Sequence, residues 1–132
     1  MKDNVMLTIS CLLSIILTTF HITSDIVLGF ETARPSILNI APILVVYLYA
    51  ALVLAGLRSG YIIILLFSIL GLYIPYLHMG GKHIGEVAKS SGGFFFIWAL
   101  IALAVTSLFS VVLAARGLWL LQRRQPSGGA DS

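Results

Sequence analysis

Four long apolar stretches separated by short polar connections dominate the chain. A helix needs about 20 apolar residues to cross the hydrocarbon core of a bilayer, and each stretch is near or above that length. Short connections favour antiparallel neighbours. We therefore predict an all-α protein, a transmembrane up-down four-helix bundle, whose spans are approximately residues 5–30, 37–57, 61–79 and 94–115. The helical domain covers residues 1–124, and residues 125–132 are predicted to be a disordered cytoplasmic tail.

One face of the first stretch is polar. Its polar positions recur every three or four residues, at Cys11, Ser14, Thr18, His21 and Asp25. This spacing puts them on a single stripe of a helix, where His21 and Asp25 lie one turn apart. Because an ionisable side chain in a membrane helix is costly and usually faces the bundle interior, the pair is a candidate functional site.

A second stripe with the same spacing runs along the third stretch, through Ser68, Gly71, Pro75 and His78. In an up-down bundle both stripes end on the same side of the membrane. Unpaired polar groups in hydrocarbon are costly, so both stripes must turn away from lipid. We therefore predict that His21, Asp25 and His78 point inward together and form one polar pocket.

The composition supports a membrane protein and excludes several other classes. Of 132 residues, 59% are hydrophobic and 10% are charged, whereas soluble domains carry about 25% charged residues. The net charge of +3 comes without a basic stripe or zinc-finger spacing, so no nucleic-acid partner is expected. Cys11 is the only cysteine, which excludes an intramolecular disulfide and a cysteine-based metal centre. The partners expected are the lipid bilayer and either another protein or further copies of this chain.

Positive charge is distributed unevenly between the two sides of the predicted bundle. One side holds Lys2, Arg58, Arg116, Arg123 and Arg124, and the other holds Arg34, Lys82 and Lys89. The positive-inside rule then places both termini in the cytoplasm. In this orientation the histidines and most of the acidic residues fall at or beyond the outer ends of the helices.

The outer side supplies further candidate ligands. His83 and Glu86 follow His78 in the outer loop, and with His21 and Asp25 they complete the ligand-binding hypothesis. A metal site would use His21, His78 and His83, although no compact signature such as His-Glu-x-x-His is present. Single haem ligation is a further alternative, while a transmembrane electron carrier would need a second histidine pair near the inner face. The alternative without a ligand is that the pair of His21 and Asp25 takes part in an interhelical hydrogen bond near the helix end. The identity of any cofactor stays open.

Three pieces of the chain resemble small four-span bacterial membrane proteins of unknown function. They are the segment His21-Ile22-Thr23-Ser24-Asp25-Ile26-Val27, the segment from Pro75 to His83, and Ser90-Ser91-Gly92-Gly93-Phe94-Phe95-Phe96. The resemblance implies a place in the bacterial cytoplasmic membrane. It implies no activity and no role for any residue.

The sequence offers no support for catalysis, since no serine or cysteine lies in a recognisable nucleophile motif or beside a base. We expect a non-enzymatic accessory or assembly subunit. The alternative is a ligand-, metal- or haem-binding membrane protein with its polar pocket at the extracytoplasmic face. Tyr47 lies near the middle of the second stretch, where its phenol needs a partner such as Ser68 or Ser107.

Overall fold

The computed structural model describes residues 2–28, 37–79, 85 and 89–124. Within these residues there is no strand, and the all-α prediction is confirmed. In the described part of the chain, four helices follow one another: α1 (Lys2–Leu28), α2 (Ile37–Leu52), α3 (Arg58–Met79) and α4 (Ser91–Arg123). The predicted tail over residues 125–132 lies outside the described residues.

Three of the helices, α1, α3 and α4, are long and apolar enough to cross a membrane. α2 is apolar but shorter, and it ends at Leu52 rather than at the predicted residue 57. A turn follows it, in which the backbone N–H groups of Val53 and Leu54 both donate to the Tyr49 carbonyl. Gly56 then adopts a φ of 85°, a left-handed conformation that glycine reaches without steric cost. α3 therefore begins at Arg58, earlier than predicted.

α4 is the longest helix and packs against both α1 and α3. The side chain of Ser90 caps its first turn by accepting a hydrogen bond from the Gly93 N–H at 3.0 Å. Many of its buried residues are small, which lets neighbouring backbones approach closely. The small buried residues are Gly93, Ala99, Ser107, Ser110 and Ala114. Close approach to α1 is seen where the Ser10 hydroxyl donates to the Thr106 carbonyl at 2.9 Å.

One end of the helix assembly is held together around the ring of Tyr61 on α3. Its hydroxyl donates to Oδ1 of Asn4 on α1. The ring packs on Gly117 of α4, where a Cβ atom would lie 2.3 Å from Tyr61 Cε1. Only glycine therefore lets α4 accept the ring without displacement. Beside it, Arg116 of α4 forms an ion pair with Asp3 of α1 at 3.6 Å.

α2 is attached to α1 and α3 by two polar contacts. Thr8 donates to the Ala51 carbonyl at 3.1 Å. Tyr47 and Ser68 share a buried hydrogen bond of 3.2 Å, one of the partners predicted for this phenol. Elsewhere the helices expose large apolar side chains, such as Leu38, Leu66 and Phe94, which would be unfavourable in water and suit a lipid surface.

Candidate functional site

The structure brings His21, Asp25 and His78 together at the end of the helix assembly opposite Tyr61. His21 and Asp25 are buried, with 3% and 5% of their surface exposed, and His78 is half-buried. One potential ligand atom from each residue lies within 4.8 Å of the other two. The two imidazole rings are 4.9 Å apart between centroids and nearly perpendicular, at 89°. The three residues thus form one compact cluster, which we call the His/Asp cluster.

Helix periodicity on α1 and α3 positions these side chains. His21 and Asp25 are separated by one turn of α1, so both face the same neighbours. His78 lies in the last turn of α3, four residues after Ile74. Its Nδ1 is 2.9 Å from the Ile74 carbonyl oxygen. Because a carbonyl only accepts, Nδ1 carries the hydrogen, and in the neutral ring Nε2 holds the lone pair that can bind a metal or accept a proton.

His21 contains a polar atom that the described residues leave unsatisfied. Its Nδ1 is buried and has no hydrogen-bond partner within the described parts of the chain. Burial of an unsatisfied nitrogen costs about 1–3 kcal/mol. Such a cost is commonly offset at a site where an ion, a ligand or a water molecule supplies the missing contact.

Phe96 of α4 forms an aromatic wall beside the His/Asp cluster. Its ring centroid lies 4.8 Å from that of His21 and 5.9 Å from that of His78. Phe96 is itself buried, while its neighbour Phe95 packs edge-on against Phe20 of α1 at 6.2 Å. The buried ring of Phe96 covers the α4 side of the cluster, which favours stronger electrostatic interactions within it.

The donor set fits a divalent transition-metal ion. Two imidazoles and a carboxylate are ligands that zinc accepts, with metal–ligand distances near 2.0–2.2 Å. In a tetrahedral site with these bond lengths, neighbouring ligand atoms lie about 3.4 Å apart. Side-chain rotations that bring the widest pair closer by about 1.4 Å would place the three ligand atoms around a common ion. Three protein ligands would leave a further coordination position for water or another donor.

The geometry does not fit a haem held between the two histidines. Axial imidazoles lie on opposite faces of the macrocycle, whereas the rings of His21 and His78 contact each other edge to face. A porphyrin has no space between rings in direct contact. The predicted ligands His83 and Glu86 lie outside the described residues, and their participation stays a prediction.

Sequence analysis missed the partners that surround the polar stripe of α1. The Ser10 hydroxyl donates to the Thr106 carbonyl of α4, and the Ser14 hydroxyl donates to the Thr106 hydroxyl at 2.9 Å. Ser110 of α4 lies 3.0 Å from Ser10 Oγ and 3.9 Å from the Cys11 sulfur. Phe96 was also missed, although it lies seven residues before Leu103 and fourteen before Ser110, in register with the buried face of α4. The three- and four-residue spacing of small polar residues on α4 was the available signal for Ser110.

Together the fold and the site define a class: a small helical membrane protein with a buried His/Asp cluster at one end of its helices. Comparison of the chain with protein-family models, with curated proteins and with solved structures finds no match. The function is therefore argued from the His/Asp cluster itself.

Proposed function

We propose that this chain is a non-enzymatic integral membrane protein that binds a divalent transition-metal ion through His21, Asp25 and His78. The observation that carries the proposal is the convergence of three potential ligand atoms within 4.8 Å. The buried Nδ1 of His21 supports it, since it has no hydrogen-bond partner among the residues that the structure describes. A bound ion would supply a contact and orient the ring.

The proposed organisation is an up-down four-helix bundle in a bacterial cytoplasmic membrane, with both termini in the cytoplasm. Asn4 contacts Tyr61 at one end of the helices, and His21 contacts His78 at the other end. These two contacts support a parallel orientation of α1 and α3. Tyr61 at the start of α3 contacts Gly117 near the end of α4, and His78 at the end of α3 contacts Phe96 near the start of α4. These contacts support an antiparallel orientation of α4 relative to α3. In this arrangement the His/Asp cluster opens toward the extracytoplasmic face.

Metal titration of the purified protein tests the proposal. We expect the wild type to bind one Zn²⁺ or Co²⁺ ion, with Co²⁺ giving a visible d–d absorption band. Asp25→Asn preserves the shape of the side chain but weakens it as a ligand. We expect Asp25→Asn, His21→Ala and His78→Ala each to lower the affinity by at least about 10–100-fold, measured against a competing chelator.

Thr23→Val is the matched control, because Thr23 lies between His21 and Asp25 on α1 but is exposed and bonds within its own helix to the Thr19 carbonyl. Its affinity should equal that of the wild type. Helicity measured by circular dichroism verifies that each variant is folded. A wild-type protein that takes up no stoichiometric metal, or an Asp25→Asn variant with unchanged affinity, refutes the metal-binding proposal.

A role as an accessory or assembly subunit is the second candidate function. The observation that favours it is that 92% of the described residues are helical and that three of the helices are long and apolar enough to cross a membrane, which leaves few described residues outside the helices. Metal binding and an accessory role are compatible. The same purification, carried out in mild detergent, reports whether another chain accompanies the protein.

A further inference from the structure

A groove lies at the end of the molecule opposite the His/Asp cluster, where α3 begins and α4 ends. It has a volume of about 300 Å³. Its polar lining consists of Arg58, Gln122 and Arg124, and its apolar lining consists of Leu57, Leu118 and Leu121. We call it the basic groove. The positive-inside rule accounts for basic residues at this end but not for a groove between two of them, and the proposed metal site lies at the other end.

The two arginines of the basic groove differ from the other arginines nearby. Arg116 pairs with Asp3, and the Arg123 guanidinium lies over the ring of Trp119 at 3.7 Å. Arg58 and Arg124 have neither an ion pair nor an aromatic contact among the residues that the structure describes. Their charges are therefore available to an anion that enters the groove.

The backbone beneath both arginines is well fixed. The turn before Arg58 is closed by the Leu57 N–H bonding to the Leu54 carbonyl at 3.0 Å. Gly60 lets α3 pack against that turn, since a Cβ there would lie 2.1 Å from the Leu54 carbonyl oxygen. On the other side, the Arg124 N–H bonds to the Leu120 carbonyl at 3.2 Å. The two guanidinium groups thus extend from fixed positions on either side of one groove.

The basic groove combines two arginines with an apolar lining at the ends of two membrane-length helices. A free anion would use the arginines but gain nothing from three leucines. An anionic phospholipid uses both, because its phosphate lies at the helix ends and its acyl chains continue along the apolar surface. We propose that the basic groove binds an anionic phospholipid, with Arg58 and Arg124 contacting the headgroup phosphate. This inference goes beyond the metal-binding proposal and does not depend on it.

Native mass spectrometry of delipidated protein tests the inference with phosphatidylglycerol as the probe and phosphatidylcholine for comparison. We expect the wild type to retain phosphatidylglycerol preferentially. Arg58→Gln and Arg124→Gln should each reduce its bound fraction on the order of fivefold, as expected for one basic residue at a membrane surface. Both side chains are exposed, so both variants should keep the helicity of the wild type.

Arg123→Gln is the control, since it removes the same charge from the neighbouring residue but leaves the basic groove intact. It should retain phosphatidylglycerol as the wild type does. An equal loss in Arg123→Gln overturns the inference in favour of diffuse surface charge. If phosphatidylcholine binds as well as phosphatidylglycerol, apolar contact explains the binding and the inference is overturned. If inorganic phosphate fully displaces phosphatidylglycerol, the groove is a site for a free anion and the inference is overturned as well.

Discussion

Ser107 and Ser110 show how differently two buried serines on one helix can contribute to stability. Both lie on the buried face of α4 and are almost completely inaccessible. Ser110 Oγ lies 3.0 Å from both Ser10 Oγ and the Thr106 carbonyl oxygen. Ser107 Oγ has no hydrogen-bond partner within the described residues. The two hydroxyl groups therefore have opposite expected effects when they are removed.

We expect Ser110→Ala to lower the free energy of unfolding by about 0.6–1 kcal/mol, a typical value for an interhelical hydrogen bond in a membrane protein. Ser107→Ala should be neutral or stabilising, because it removes a buried polar atom that makes no bond. Unfolding by a denaturing detergent, followed by circular dichroism, measures both. A loss in Ser107→Ala as large as that in Ser110→Ala would show that Ser107 has a partner in solution.

At the same scale, sequence reasoning identified the residues of the His/Asp cluster but not its surroundings. The spacing of His21 and Asp25 follows from helix geometry, and the cost of burial determines which way they face. Phe96 had a signal in the three- and four-residue period of α4, which continues back from Ser110 through Leu103 to Phe96, but that period alone does not show which helices the face contacts. The Nδ1–H bond of His78 to Ile74 depends on the side-chain rotamer, which periodicity does not define.

The packing of α3 against α4 depends on the pairing of Gly71 with Ser107. A Cβ atom at Gly71 would lie 2.4 Å from Ser107 Oγ and 3.3 Å from Ser107 Cβ. Gly71→Ala should therefore force the helices apart or rotate the serine, at a cost of about 1–3 kcal/mol. In a Ser107→Ala background the contact with Ser107 Oγ is absent, so Gly71→Ala should lower the free energy of unfolding by less.

A double-mutant cycle measures this coupling, with unfolding free energies for the wild type, both single variants and the double variant. We expect a coupling energy of at least about 0.5 kcal/mol in the compensating direction. Additive effects would mean that α3 and α4 do not approach each other closely at Gly71.

At the level of elements, apolar length predicted the helices better than it predicted their ends. Residues 53–57 are as apolar as the helix before them, so hydropathy continues through a turn that the backbone makes at Gly56. The opposite happens at the end of α4. There the helix continues to Arg123, beyond the predicted residue 115, and Gly117 within this extension packs against the Tyr61 ring.

At the scale of the whole molecule, the two proposed sites lie at opposite ends and their compartments depend on orientation. Labelling of intact cells with a membrane-impermeant thiol reagent tests the orientation in a Cys11→Ser background. Lys89 and Ser59 are exposed residues near opposite ends of the assembly. We expect Lys89→Cys to be labelled from outside and Ser59→Cys to be protected until the cells are opened. The reverse pattern would place the His/Asp cluster in the cytoplasm.

The hydrogen bonds between α1 and α4 have a consequence for biosynthesis. A chain made from its N-terminus presents α1 to the membrane long before α4 has been translated. Until then Ser10 and Ser14 lack Thr106, with which both of them bond in the folded protein. His21 likewise precedes His78 and Phe96. The polar face of α1 is consequently better accommodated beside the insertion machinery than in lipid, so release of α1 into the bilayer should wait for α4.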